Sequence, residues 1–381
     1  MDGGPPALIA AASRRRIFHI ASDHFVELES LPDALPATGF LWLGCGRREF
    51  EVGVPDIQRA LQRLTGGQLV DLHVSDLLNS QLPSHFDYTS WYDVMVFRRL
   101  AAGAGTADLF VDEVHGTLAS AKKALDSIDT SPVGFAVFDR VLVTVHPTDC
   151  AVRDYFAQRL MGLAGDGGDA RGGARLPNSP ADLMLRMINH LVDSYLDLRR
   201  LLTRQLGYLQ QQLLDPKSRF NDWQVLLDSR NALHMLEDTC EDQRAAVQEW
   251  IDSLDEWPDE TEADKRRERE LLRVRSRDVL EHVERVLSHV RRLEHSAETA
   301  VQMHFSALGH RTNTIMRTLT VLTAIFLPLN LITGFFGMNF DSLPLIHSSA
   351  GFWVAFGLML AVAAALITFF WRKRYLGTRG H

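Results

Sequence analysis

Two stretches near the C-terminal end constrain this chain more than anything else in it. From Thr318 to Phe340, and again from Gly351 to Trp371, there is no charged residue. Each reaches the ~20 apolar residues an α-helix needs to cross a hydrocarbon core, whereas a helix in a soluble core rarely stays uncharged so long. Two membrane spans are expected, and a buried helical hairpin is the alternative. The outer ends of the pair are basic: Arg311 and Arg317 precede the first run, and Arg372, Lys373, Arg374 and Arg379 follow the second. The connecting segment carries only Asp341 and His347. Positive flanks around a nearly uncharged loop predict both termini in the cytoplasm and the loop outside.

The 381 residues exceed one ordinary domain, so a soluble unit attached to the spans is expected. The N-terminal MDGGPPALIAAASRRRIFHI places its basic residues after the apolar patch, unlike a secretory signal, so residues 1–310 are expected inside the cell. A net charge of -8 without a basic stripe argues against a nucleic-acid partner. Cys45, Cys150 and Cys240 are too far apart for a local zinc or redox motif and read as structural thiols.

Residues 1–160 read as a cytoplasmic α/β domain. IFHIA, FLWLG, VMVF and VGFAVFDRVLVTVHP are strand-like, and DIQRALQRLTGG is helical with a glycine pair to stop it. The glycine-rich segment GLAGDGGDARGGAR predicts a flexible loop over 161–177, without the strand–turn–helix order of a phosphate cradle. Residues 178–262 read as an antiparallel helical pair broken near DPKSRFND. From about 263 the helical pattern does not stop. Between Lys265 and Thr318 there is no proline and only Gly309, so one helix is expected over 263–340, on the order of 100 Å long, with span 1 at about 314–338. Its apolar seam, Val279, Val283, Val286, Val290, Leu293, Ala297 and Ala300, fits either a bundle of identical helices or packing on the chain's own helices. A loop at 341–350, span 2 at 351–371 and a basic tail at 372–381 complete the organisation.

A long helix entering a first span, Gly-Met-Asn at its outer end, a second span and a basic tail resemble the CorA family of divalent-metal transporters. HVSDLLNSQLPSHFDYTSWYDVMVF (His73–Phe97), VFDRVLVTVHP, RDVLEH (Arg277–His282) and RTNTIMRTLT are similar to family segments as well. The resemblance implies a funnel-shaped homopentamer in the inner membrane with the first span lining a pore. It implies a selectivity filter at Gly337, Met338 and Asn339. On a fivefold axis, Asn313, Met316, Leu319 or Thr320, Thr323, Leu327, Asn330 and Gly334 keep the helix period and would face the pore. Packing by small residues would use the same Thr and Gly.

The filter then has a physical logic. Mg2+ sheds water reluctantly, so a ring of neutral Asn339 carbonyls can hold the waters around the ion without trapping it. Gly337 is expected to let the backbone turn sharply after the helix, and Met338 to brace that turn. Met316, Leu319 and Leu327 would form apolar rings that gate by dewetting. The family's acidic position on the long helix falls on Asp278. Asp93 lies near where a partner carboxylate occurs, so the pair is a candidate for regulatory metal between subunits. Asp341 is a candidate at the mouth.

The family pattern is not complete. Magnesium channels of the family commonly have threonine where this chain has Asn330, and a loop glutamate where it has SLPLI. The intact Gly-Met-Asn and RDVLEH nevertheless make Mg2+, with Co2+ and Ni2+, the first expectation for the ion. Zn2+ moved by a proton-linked transporter of the same fold is the second. A membrane-anchored scaffold or sensor is the reading from another class. No nucleophile elbow, Walker loop or HExxH points to an enzyme, and no bound cofactor is expected beyond the transported and regulatory cations.

Overall fold

β-Branched and aromatic runs in the first 150 residues form the strands β1 (Arg16–Ile20), β2 (Phe25–Leu28), β3 (Phe40–Gly46), β4 (His85–Tyr88), β5 (Asp93–Arg98), β6 (Ala101–Ala102), β7 (Ile128–Asp129), β8 (Pro132–Val137) and β9 (Val141–His146). The helices are α1 (Arg47–Thr65), α2 (Asp71–Leu78), α3 (Leu118–Asp126), α4 (Ala151–Gly165), α5 (Pro180–Asp193), α6 (Tyr195–Leu214), α7 (Trp223–Glu256), α8 (Ala263–Phe336) and α9 (Ser349–Arg372). The computed structural model describes residues 15–103, 118–165, 175–214, 223–257, 262–338 and 349–373. The chain divides into two compact units, 1–298 and 299–381.

In the first unit seven strands form one sheet in the order β2-β1-β3-β9-β8-β5-β4, and β6 pairs with β7 apart from it. The central pair, β3 and β9, is parallel and the other neighbours are antiparallel. Both central strands are buried along their whole length, as expected where helices cover both faces. Alternation sorts their side chains. Leu41, Leu43, Val143 and Val145 join a core with Phe50, Ile57, Leu61 and Leu77. Trp42 and Leu142 join the larger core with Leu183, Met184, Tyr195, Trp250 and Val283. The result is a sheet between two helical layers.

Three sequence expectations change here. The helix expected from Asp56 begins at Arg47 and carries Pro55 inside it, because Phe50 in its first turns is fully buried and packing outweighs the broken backbone bond. It stops at Gly66, whose φ of 78° only glycine adopts freely and whose N–H returns to the Gln62 carbonyl at 3.2 Å. The glycine-rich segment is helical through Gly165, and 166–174 lie outside the described residues. The expected helical pair is three helices, since the first limb breaks at Ser194. There the hydroxyl bonds the Leu191 and Leu100 carbonyls at 2.6 and 3.1 Å and so ties the break to the link between β5 and β6. α5 starts on a Ser179 cap, whose Oγ accepts from the Asp182 N–H at 3.3 Å, with Pro180 next.

The seam of α8 is settled in part. Val279, Val283, Val286 and Val290 are buried in the same core as Leu236, Cys240, Trp250 and Leu198 of the same chain. Polar contacts on that face are intrachain too. Trp250 Nε1 donates to Ser276 Oγ at 2.9 Å, and Tyr195 Oη meets His289 Nδ1 at 2.7 Å, with burial pushing that imidazole down to about 4 so that it stays neutral. The Val279–Val290 part of the seam therefore packs on the chain's own helices, while Ala297 and Ala300 join no core cluster among the described residues.

Candidate metal-ion pathway

The second unit holds the end of α8 and all of α9. Both contain windows apolar and long enough to cross a membrane, and almost nothing in those windows is buried. An uninterrupted apolar surface of this extent is not stable against water. Each helix is shielded along one stripe only: Val321, Ile325, Pro328, Ile332 and Phe336 on α8, and Gly351, Ala355, Met359, Val362, Leu366 and Phe370 on α9. Steps of three and four make each stripe a single helix face, as for two helices lying side by side.

The residues that the resemblance would put on a pore are all on the other side. Asn313, Met316, Leu319, Thr320, Thr323, Leu327, Asn330 and Gly334 are all exposed. At 3.6 residues per turn they centre about half a turn away from the shielded stripe. Thr320 and Thr323 spend their hydroxyl protons on the helix itself, donating to the Met316 and Leu319 carbonyls at 2.8 and 2.9 Å. What each hydroxyl turns outward is therefore only oxygen lone pairs. A hydrated cation presents water hydrogens outward, so acceptor-only groups are the matching chemistry.

One expectation about the filter changes. Gly337 is not in the left-handed region that a sharp glycine turn would use. Its N–H closes on the Thr333 carbonyl at 2.9 Å, and a Cβ there would stand 2.9 Å from that same oxygen, so glycine is required for close approach instead. Met338 is about half exposed, and its N–H bonds the Phe335 carbonyl at 3.3 Å. Asn339 and Asp341 lie outside the described residues.

The candidate regulatory carboxylates sit in the first unit. Asp93 opens β5 opposite Val137 and Tyr88, and burial followed by the charge of Asp139 pushes its carboxyl up to about 7. Asp278 lines a cavity of about 490 Å³ together with Arg159, Arg175, Arg186, Arg267 and Arg275. Its carboxylate stands 3.8 Å from His282. No hydrogen bond or ion pair among the described residues joins Asp93 to Asp278. Sequence reading missed these arginines because they come from four separate places, α4, the approach to α5, α5 itself, and α8. Two of them are anchored by the buried Asp182, which pairs with Arg186 and Arg275.

Comparison with known proteins places this architecture. The sequence model of the family described as CorA-like Mg2+ transporter protein matches residues 107–374. The chain belongs to that family. Among curated proteins, the cobalt/magnesium transport protein CorA of Thermotoga maritima is 29% identical over 100 residues, 26% of this chain and 28% of the relative. The magnesium transport protein CorA of Haemophilus influenzae is 32% identical over 101 residues, 26% of this chain and 32% of the relative. These matches thus span about a third or less of either CorA relative. The fold matches far more completely. The complete structure of the CorA magnesium transporter from Methanocaldococcus jannaschii aligns with a TM-score of 0.68 over 94% of this chain and 97% of that one, at 17% identity.

Proposed function

We propose that this CorA-family chain carries divalent metal cations across the inner membrane, as a homopentamer whose first spans line the pore. The observation that carries the reading is the file from Asn313 to Gly334. It lies on one unbroken helix, faces away from the stripe shielded in the hairpin, and offers acceptor oxygens between aliphatic residues. Polar groups inside a lipid-length run are costly unless they face water. A scaffold's anchor has no use for them.

The pore would take a hydrated ion at Asn339, pass it over Asn330, Thr323 and Thr320, and close by dewetting at Leu327, Leu319 and Met316. Nothing in the file calls for a bond to be made or broken. Mg2+ is the first candidate cargo because neutral oxygen acceptors suit an ion that keeps its water shell, and Co2+ and Ni2+ share that shell's octahedral form. Zn2+ is the alternative cargo, moved with protons. Purified protein in liposomes, loaded in turn with Mg2+, Co2+, Ni2+ and Zn2+ with and without a pH gradient, tests the proposal. Gradient-independent Mg2+ uptake supports the channel, gradient-driven Zn2+ uptake alone moves the assignment to the zinc branch, and no flux of any ion sinks both.

A further inference from the structure

A second metal chemistry lies away from the pore. His234 and Glu237 are one turn apart on α7, and Glu294 faces them from α8, all within the first unit. One ligand atom from each lies within 4.8 Å of the other two. His234 Nδ1 and Glu294 Oε1 are 3.3 Å apart. In a tetrahedron the ligand-to-ligand edge is about 1.6 times the metal–ligand bond, so zinc bonds of about 2.0–2.1 Å require edges of about 3.3 Å. The His234–Glu294 edge already has that length, and the other two edges lie within 4.8 Å.

The charges around the cluster leave a place for a cation. Arg291 Nε donates to Glu237 Oε1 at 2.7 Å, and the same guanidinium also holds Glu241. One guanidinium therefore answers two carboxylates, Glu237 and Glu241, while Glu294 faces the imidazole of His234. Glu294 is 15% exposed and His234 51%, so one ligand is held from the core side while the solvent side stays open for a water.

We propose that His234, Glu237 and Glu294 bind one borderline transition-metal ion, Zn2+ foremost, which clips α7 to α8. An imidazole nitrogen with two carboxylates suits Zn2+, Co2+ or Ni2+, and it is a poor match for Mg2+, which demands an all-oxygen octahedron. The inference rests on side-chain geometry in the first unit and does not depend on the transport reading.

The test is metal binding by the full chain, purified in detergent and stripped with chelator. Co2+ is titrated while the visible ligand-field bands are recorded, and Zn2+ stoichiometry and affinity are measured by calorimetry. Wild type should gain one tetrahedral-type Co2+ signal per chain that Zn2+ displaces and a large excess of Mg2+ does not. His234→Ala and Glu294→Gln should each lose that signal and weaken the matching Zn2+ equivalent at least tenfold, with circular dichroism unchanged. Glu294→Gln keeps shape and packing, so it guards against loss of fold in the other variant. Equal Zn2+ stoichiometry and affinity in wild type and both variants would overturn the site, as would displacement of Co2+ by Mg2+ as readily as by Zn2+.

Discussion

Asp93 shows how a single residue can carry a readable signal of its surroundings. Its ordinary carboxyl value is 3.8 and the folded value is about 7, raised by burial first and by Asp139 second. Between those values the folded chain holds a proton that the unfolded chain has lost. Stability therefore falls as pH rises through that window and stays lower above it. Asp93→Asn should remove the fall, raising stability at pH 8 by up to about 4 kcal/mol and leaving it nearly unchanged at pH 4. Thermal melts of the metal-free protein at the two pH values measure it, and a variant that loses stability at pH 8 would show that the ionised carboxylate has a favourable partner. If a divalent ion bridges Asp93 in the assembled protein, added Mg2+ should raise the melting temperature of wild type more than that of Asp93→Asn. The same residue marks a limit of sequence reading. WYDVMVF identified the position, but the burial that perturbs it comes from strands and a turn distant in sequence.

At the scale of the element, α8 is where the sequence was most legible and where one of its features stayed open. Absence of proline and glycine gave a single long helix, and the observed helix runs from Ala263 to Phe336 and even accommodates Pro328. Its heptad-like seam could not say which partner it served, because intrachain and interchain helix packing share one period. The chain's own core takes up the part of it from Val279 to Val290. The arginine cavity and the His234–Glu237–Glu294 cluster were invisible for a related reason: each draws on segments whose juxtaposition only the fold provides. The free face of the span is a different matter, since among the described residues nothing covers it. A Cβ added at Gly334 meets nothing within 4 Å, and the same holds at Gly357 on α9. Alanine at either position should stabilise its helix by about 0.5–1 kcal/mol through propensity alone. If Gly334 faces a fivefold axis, five added methyls narrow the pore, and Gly334→Ala should lower flux severalfold with assembly intact while Gly357→Ala leaves flux unchanged. Equal flux in both variants would remove Gly334 from the pathway.

For the whole molecule the open issue is what Asp278 does, and its neighbours sharpen the question. Five arginines share its cavity, so within one chain its surroundings are cationic, and a divalent ion there would need further carboxylates from another subunit. If a pentamer supplies them, the closed state is stabilised by metal that the open state binds less well. Asp278→Ala should then shift the Mg2+ concentration that half-inhibits flux upward by an order of magnitude and raise resting flux. If Asp278 only balances the arginines, the same variant should keep its Mg2+ inhibition curve and instead lose stability, by about 0.5–1 kcal/mol, as like charges are left facing one another. Inhibition curves and melting temperatures for wild type and Asp278→Ala, taken with mass measurement in detergent to establish five subunits, read the two outcomes separately. An unshifted curve in an intact pentamer would retire Asp278 as a metal ligand and leave it as the counter-charge of the arginine cavity.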